Sequence, residues 1–271
     1  MDLLIKNGKL IRALGKGSDE YVQIPDTVTA IGDNAFYDTR IIGATLPETV
    51  TSIGLGAFGG CGRLENINIP AAVGYIGREA FDSCFLLGEI TIPRRVTRLN
   101  DGCFKDCHAL RTIVLHENII YGSDVFLDCT SVSRVEIGSI GIIGRSLRHA
   151  LAREPNCIER LTRAVRYGTI PDRMYPAVTA QLAAQLYLQK GSGDAKKYLG
   201  KNALNVFKYL AEDGRTDLLV KLAGESDIVS RDIDALIEAA IAAEQHEVYI
   251  MLADLRHSTL PCETLSDRFA L

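Results

Sequence analysis

Cys103-x-x-x-Cys107-His108 is where soft metal ligands crowd together in this 271-residue chain. Two thiolates beside an imidazole are the donor types of a zinc or redox centre. The spacing argues against that chemistry. Cys107 recurs with Cys61, Cys84 and Cys129 at one position of a repeat, and Cys103 stands where earlier repeats carry Ala35, Ala57 and Ala80. A free thiol packs as a small hydrophobe, so both cysteines read as core residues, and no metal or other cofactor is expected. The five histidines, His108, His116, His149, His246 and His257, are scattered. Nucleophilic catalysis needs a base within hydrogen-bond reach of its nucleophile, and no such set emerges. Gly15-Lys16-Gly17-Ser18 lacks the Gly-x-x-x-x-Gly-Lys-[Ser/Thr] spacing of a phosphate loop and reads as a surface turn. The chain is therefore expected not to be an enzyme.

Charge is concentrated in one segment. From Arg145 to Arg173 seven arginines face Glu154, Glu159 and Asp172, a local excess of four positive charges. Arg160, Arg163 and Arg166 share one helical region and are candidates for docking an acidic partner. Aromatic residues do not interleave with them, and the whole chain carries a net charge of −4, so no nucleic-acid partner is expected. Hydrophobic content of 47% and charged content of 24% are ordinary for a globular protein. No apolar run approaches the ~20 residues of a membrane span, so membrane insertion is not expected. Met1-Asp2-Leu3-Leu4-Ile5-Lys6 does not read as a secretory leader. A cytoplasmic location is expected, or a cell-surface one if a leader has been removed.

The elements that must position these groups follow a repeat. Phe36, Phe58, Phe81, Phe104 and Phe126 are spaced 22, 23, 23 and 22 residues apart, and Pro25, Pro47, Pro70 and Pro93 keep the same rhythm. His116 takes the next proline position. One unit reads Leu64-x-x-Ile67-x-Ile69-Pro70-x-x-Val73-x-x-Ile76-Gly77-x-x-Ala80-Phe81-x-x-Cys84. A period of 20–29 residues with apolar positions at these offsets is the pattern of leucine-rich repeats.

Each position has a mechanical reason. Ile67 and Ile69 alternate with Asn66 and Asn68, as in a strand with one buried face. Proline ends the strand because it lacks an N–H and fixes φ. Gly32, Gly54 and Gly77 are expected at tight turns, with positive φ. The Ala-Phe pair is expected to open a short helical or 3₁₀ turn that drops the ring into the core. About five such coils are expected, stable only by stacking.

Asp33-Asn34-Ala35-Phe36, preceded by Ile24-Pro25-Asp26-Thr27-Val28-Thr29-Ala30-Ile31-Gly32, resembles the BspA-like leucine-rich repeats of bacteria and protists. The resemblance covers roughly residues 1–143. Thr39 departs from it by replacing the ladder cysteine, and the fifth turn is shortened. The resemblance implies adhesion or protein–protein recognition, and it carries no catalytic residues.

From residue 144 helical spacing takes over, as in Leu147 and Leu151, Leu182 and Leu186, and Val206 and Leu210. Pro155, Pro171 and Pro176 divide the early part into short helices, and Asp194 is expected to cap a later one. Gly214 to Leu222 aligns with Glu244 to Leu252, and both resemble the second helix of an ankyrin unit, although the Thr-Pro-Leu-His signature is absent. The expected fold is thus an α/β repeat solenoid with parallel strands over 1–143 and an all-α domain over 144–271.

The expected function is a non-catalytic protein-interaction module that uses the outward strand positions. Those are Asn66, Asn68, Glu89, Thr91, Thr112, Val114, Arg134 and Glu136. They are small and mixed in charge, without an aromatic anchor. The alternatives are an adhesion or structural protein of the cell surface, and binding of an acidic partner through Arg145–Arg173.

Overall fold

The computed structural model describes residues 1–15, 20–154 and 156–259; Lys16 to Ser18, Pro155 and Cys262 lie outside them. Contacts divide the chain into two units, Met1–Arg166 and the remainder from Tyr167.

The first unit opens with a hairpin of β1 (Asp2–Lys6) and β2 (Lys9–Leu14), followed by β3 (Tyr21–Gln23), β4 (Ala30–Ile31), β5 (Gly43–Thr45) and β6 (Ser52–Ile53). Next come β7 (Asn66–Ile67), β8 (Tyr75–Ile76), β9 (Glu89–Thr91), β10 (Arg98–Leu99), β11 (Thr112–Leu115) and β12 (Ile120–Tyr121). A second hairpin, β13 (Arg134–Ile137) and β14 (Ile140–Ile143), ends the strands. Even-numbered strands β2 to β12 stack as one parallel wall, with β1 antiparallel at its start. Odd-numbered strands make the second wall, in two pieces: β3-β5-β7, and β9-β11-β13 closed by antiparallel β14.

Both walls therefore have six rungs, one more than the phenylalanines suggest. The first coil carries no ring. Its Ala13 N–H donates to the Ala35 carbonyl at 2.7 Å, the bond that Phe36 makes to Ala57 one coil later. Antiparallel β1 covers the first edge of the even wall and antiparallel β14 the last edge of the odd wall, where an open parallel edge would invite pairing with another chain.

The third side of the coil differs from the expected helical turn. In the second coil Ala35, Tyr37 and Thr39 N–H groups bond back to Gly32, Asn34 and Phe36, as in successive turns. Asn34, Phe36 and Asp38 N–H groups instead reach the next coil, at Leu55, Ala57 and Gly59. A left-handed residue two positions before each phenylalanine and another two after it produce this alternation. They are Asn34 and Asp38, Gly56 and Gly60, Glu79 and Ser83, Gly102 and Asp106, and Asp124 and Asp128. Flipping every second peptide turns donors along the coil axis, so a ladder forms where a helix would have consumed them.

Glu79 holds φ +55°, while its neighbours one coil either side are Gly56 and Gly102. A side chain in that conformation costs about 1 kcal/mol, and Glu79 sets against it an exposed ion pair to Arg78, a weak contribution. Glu79→Gly is expected to stabilise the solenoid by up to about 1 kcal/mol, read as a higher urea midpoint.

The expectation of positive φ at Gly32, Gly54 and Gly77 is corrected. None is left-handed; each lies against the preceding coil's main chain. A Cβ on Gly77 would stand 2.5 Å from the Gly54 carbonyl carbon.

The rings form a continuous stack. Phe36, Phe58, Phe81 and Phe104 are fully buried, with consecutive centroids 5.0, 5.3 and 5.1 Å apart and planes within 6°. Phe126 extends it at 5.6 Å and is half-buried. Two helices, α1 (Arg145–Arg153) and α2 (Cys157–Tyr167), follow β14. Thr162 Oγ1 meets the Tyr121 hydroxyl at 2.7 Å, and Arg166 donates to the Glu117 and Ile119 carbonyls at 2.6 and 2.8 Å. These bonds tie α2 to the last coil. Compositionally α1 and α2 begin the helical part; by contact they belong to the solenoid unit.

The second unit contains α3 (Pro176–Lys190), α4 (Gly193–Glu212), α5 (Thr216–Ala223), α6 (Ser226–Val229), a 3₁₀ turn at Ser230–Asp232, α7 (Ile233–Ala242) and α8 (His246–Thr259). Every residue of α3 from Ala177 to Leu186 is buried, including Gln181 and Gln185. Pro176 stands at its first turn and left-handed Gly191 ends it. Ser192, rather than Asp194, caps α4, accepting from the Ala195 N–H at 3.2 Å. Buried Arg215 holds the interior polar groups, donating twice to Asp217 and once to Gln181, each at 2.9 Å.

Candidate interaction face

The odd-numbered strands present two rows of outward side chains. Tyr21, Gly43, Asn66, Glu89, Thr112 and Arg134 form the first, in register through paired strands and one unpaired step. Gln23, Thr45, Asn68, Thr91, Val114 and Glu136 form the second. Asn66, Glu89, Thr91 and Arg134 are exposed; Thr112, Val114 and Glu136 are half-buried. All eight of the strand candidates thus lie on one wall.

They are not equally available. Arg134 Nε donates to Glu136 Oε1 at 2.6 Å, so that pair neutralises itself. Asn68 serves the fold: the Leu46 N–H donates to its Oδ1 at 2.8 Å, and its Nδ2 donates to the Leu46 carbonyl at 3.0 Å. Its amide replaces the strand pairing that would have continued there. The wall breaks next to it, since β7 and β9 are unpaired. Ile67 and Ile69, expected to be buried, are only partly covered as a result.

A groove of about 510 Å³ lies over this break. Asn66 and Asn68 stand on one side, Glu89 and Thr91 on the other, and Tyr21 at the far end. Tyr21 is 68% exposed. A Cβ on Gly43 would come 2.5 Å from its ring, so the ring lies down on the bare backbone of the next strand. Sequence reasoning missed this aromatic group. Tyr21 precedes the first proline, in a coil without a phenylalanine, and only the paired registers carry it onto the face. Glu89 is the single charged residue lining the groove, and no ion pair engages it among the described residues.

The arginine segment is used internally. Arg160 pairs with Glu154 at 2.5 Å, Arg166 binds two carbonyls of the last coil, and Arg163 is the exposed member, 3.7 Å from Glu159.

The cysteines also have structural roles. Cys61, Cys84, Cys107 and Cys129 donate to the carbonyls of Phe36, Phe58, Phe81 and Phe104 one coil earlier, at 3.0 to 3.3 Å. Thr39 does the same work within its own coil, donating to Phe36 at 2.8 Å. Burial pushes the Cys61 thiol up to about 11 and the Cys157 thiol up to about 12. Burial raises Cys84 and Cys103, while a hydrogen bond with Cys129, then burial, raises Cys107. These thiols stay protonated, as the ladder requires. His108 stacks on Phe85 at 5.5 Å and its Nδ1 meets the Asp128 carbonyl at 2.9 Å. His116, buried, places Nε2 2.9 Å from the Val96 carbonyl. No group of three or more potential metal ligands gathers among the described residues. No helix among them is long and apolar enough to cross a membrane.

No curated protein matches the chain. Among solved structures, a leucine rich repeat protein of T. pallidum is 30% identical over 47% of this chain and 62% of its own, with a TM-score of 0.43. A leucine rich cell surface protein of Faecalibacterium prausnitzii is 27% identical over 48% of this chain and 35% of its own, TM-score 0.46. A leucine-rich repeat protein of Bacteroides capillosus is 36% identical over 39% and 83%, TM-score 0.34. This chain therefore spans less than two thirds of the first two. Residues 16–147 match the BspA type leucine rich repeat region in six copies, so that stretch of the chain is a BspA-type leucine-rich-repeat array.

Proposed function

We propose that the chain is a non-catalytic module that binds a protein partner on its odd-strand wall. One observation carries the reading: a groove there holds an exposed aromatic ring near Asn66 and Glu89, whose side chains are exposed and engage no partner among the described residues. Aromatic anchors ringed by polar groups dominate protein interfaces. The arginine segment is the weaker surface, since two of its three candidates are committed to the fold. Ladder thiols that donate as S–H suit a reducing compartment, and the proposed location is the cytoplasm. In the second unit, α4–α5 and α7–α8 are read as a divergent, ankyrin-like duplication. Their turns match, with Arg215 N–H reaching Leu210 and Gln245 N–H reaching Ala240 five residues back.

A pull-down from lysate of the source organism tests the face. The intact chain is run beside a triple variant, Asn66→Arg, Glu89→Arg and Thr112→Arg. Loss of the partner from the variant alone is the expected result. Equal retention by both would move the site elsewhere.

A further inference from the structure

We infer that the groove takes an extended polypeptide segment carrying a lysine or arginine, its cation on Glu89 and a flat side chain on Tyr21. The inference rests on the proposed use of the odd-strand wall and specifies its partner. Electrostatics set the sign. Glu89 is the only charged residue of the lining, it is exposed, and the one other charged pair on the wall, Arg134 and Glu136, cancels itself. The groove therefore carries one uncompensated charge, and it is negative. Complementary charge selects a partner more than it tightens it, so a cation is favoured, while acidic glycans and phosphate backbones are opposed.

The remaining lining fits a main chain. The exposed Asn66 side chain offers both an amide donor and an acceptor, matching the two groups of a peptide bond. Partly uncovered Ile67 and Ile69 supply an apolar floor where the wall splits. Tyr21, held flat on Gly43, leaves its other ring face for a proline, an aromatic ring or a guanidinium. Geometry gives the spacing. Tyr21 and Glu89 occupy the same row three strands apart, roughly 14 Å, which an extended chain covers in about four residues. The segment runs along the coil axis, across the strands.

The test is selection of a random peptide library displayed on phage against the intact chain, Glu89→Gln, Glu89→Arg and Thr112→Arg. The Glu89 side chain is exposed and engages no partner among the described residues, so its variants should melt like the parent, which a urea curve verifies. The intact chain is expected to enrich peptides with Lys or Arg about four residues from a proline or aromatic residue. Glu89→Gln should weaken them, and Glu89→Arg should lose them by about tenfold or more. Enriched peptides without a basic residue, or basic ones held equally by Glu89→Arg, overturn the inference. If Thr112→Arg still removes those peptides, the protein-binding wall survives and only its charge rule fails. If no variant affects them, both fail. No enrichment, together with binding of a neutral glycan on an array abolished by Tyr21→Ala, overturns the polypeptide occupant.

Discussion

Phe81→Ala is expected to destabilise the solenoid by about 3–5 kcal/mol, the usual cost of removing a fully buried phenyl ring. Phe81 is fully buried, stacked between Phe58 at 5.3 Å and Phe104 at 5.1 Å, both nearly parallel to it. Its loss removes burial and two ring contacts, each worth about 0.5–1.5 kcal/mol beyond burial. Position in the array sharpens the prediction. A coil touches only its neighbours, so a central gap weakens the coupling of both sides. Phe126 has one ring neighbour, 5.6 Å away, and is half-buried. Phe126→Ala should therefore cost clearly less than Phe81→Ala. Urea melts of the two variants decide it: equal midpoints, or a midpoint for Phe81→Ala equal to the parent's, would rule out the stack as the central support.

Gly77→Ala is the second large effect, and it acts by crowding. The new methyl would meet the carbonyl carbon of Gly54 at 2.5 Å and the Leu55 nitrogen at 2.6 Å. These are main-chain atoms, held in two ladders, with no rotamer to yield. Overpacking typically costs about 1–3 kcal/mol and sometimes more, and a rigid neighbour places this case at or above the upper end. Gly88 provides the control, because nothing lies within 4 Å of its would-be Cβ and its φ is not left-handed. Gly88→Ala should be neutral or stabilise by about 0.4–1 kcal/mol through the unfolded chain. A Gly77→Ala melt no lower than that of Gly88→Ala would mean that coil contact does not explain the glycine.

Both effects were partly legible in the residues. The period of the phenylalanines names Phe81 as a core ring, because burial of a large apolar group at a fixed interval has one economical cause. The period marks Gly77 equally well, yet gives the wrong reason. Left-handed φ and close approach both select glycine, and only the stacked main chains distinguish them. The left-handed residues themselves, Glu79, Ser83 and Asp106 among them, have side chains that other conformations tolerate. Glu79 and Ser83 are not of the Gly, Asn and Asp types that favour this conformation, so residue type alone does not single those two out. Counting coils by phenylalanine fell one short because Ala13 occupies the ring position of the first.

The interaction wall divides the same way. Alternation within each strand places Asn66, Glu89, Thr112 and Arg134 outward, since successive side chains point to opposite faces. Alternation cannot tell that Asn68 is bound to the Leu46 main chain, that Arg134 is matched by Glu136, or that Arg166 grips carbonyls in the last coil. The partners of Asn68 and Arg166 lie in another coil, while Glu136 is two residues from Arg134 on the same strand, where alternation gives a shared face but not the bond.

What the sequence determined by itself was therefore everything periodic: the repeat, its family, the buried ladder of rings and thiols, and the change to helices after residue 144. Those features arise from local burial repeated at a fixed interval, and each copy carries its own signal. Tertiary structure alone decided where the wall breaks between β7 and β9, that Tyr21 lies on Gly43, and that Glu89 meets no counter-charge among the described residues. These are properties of adjacency between coils, where register and close approach, rather than residue type, set which side chains meet and which stay free to bind.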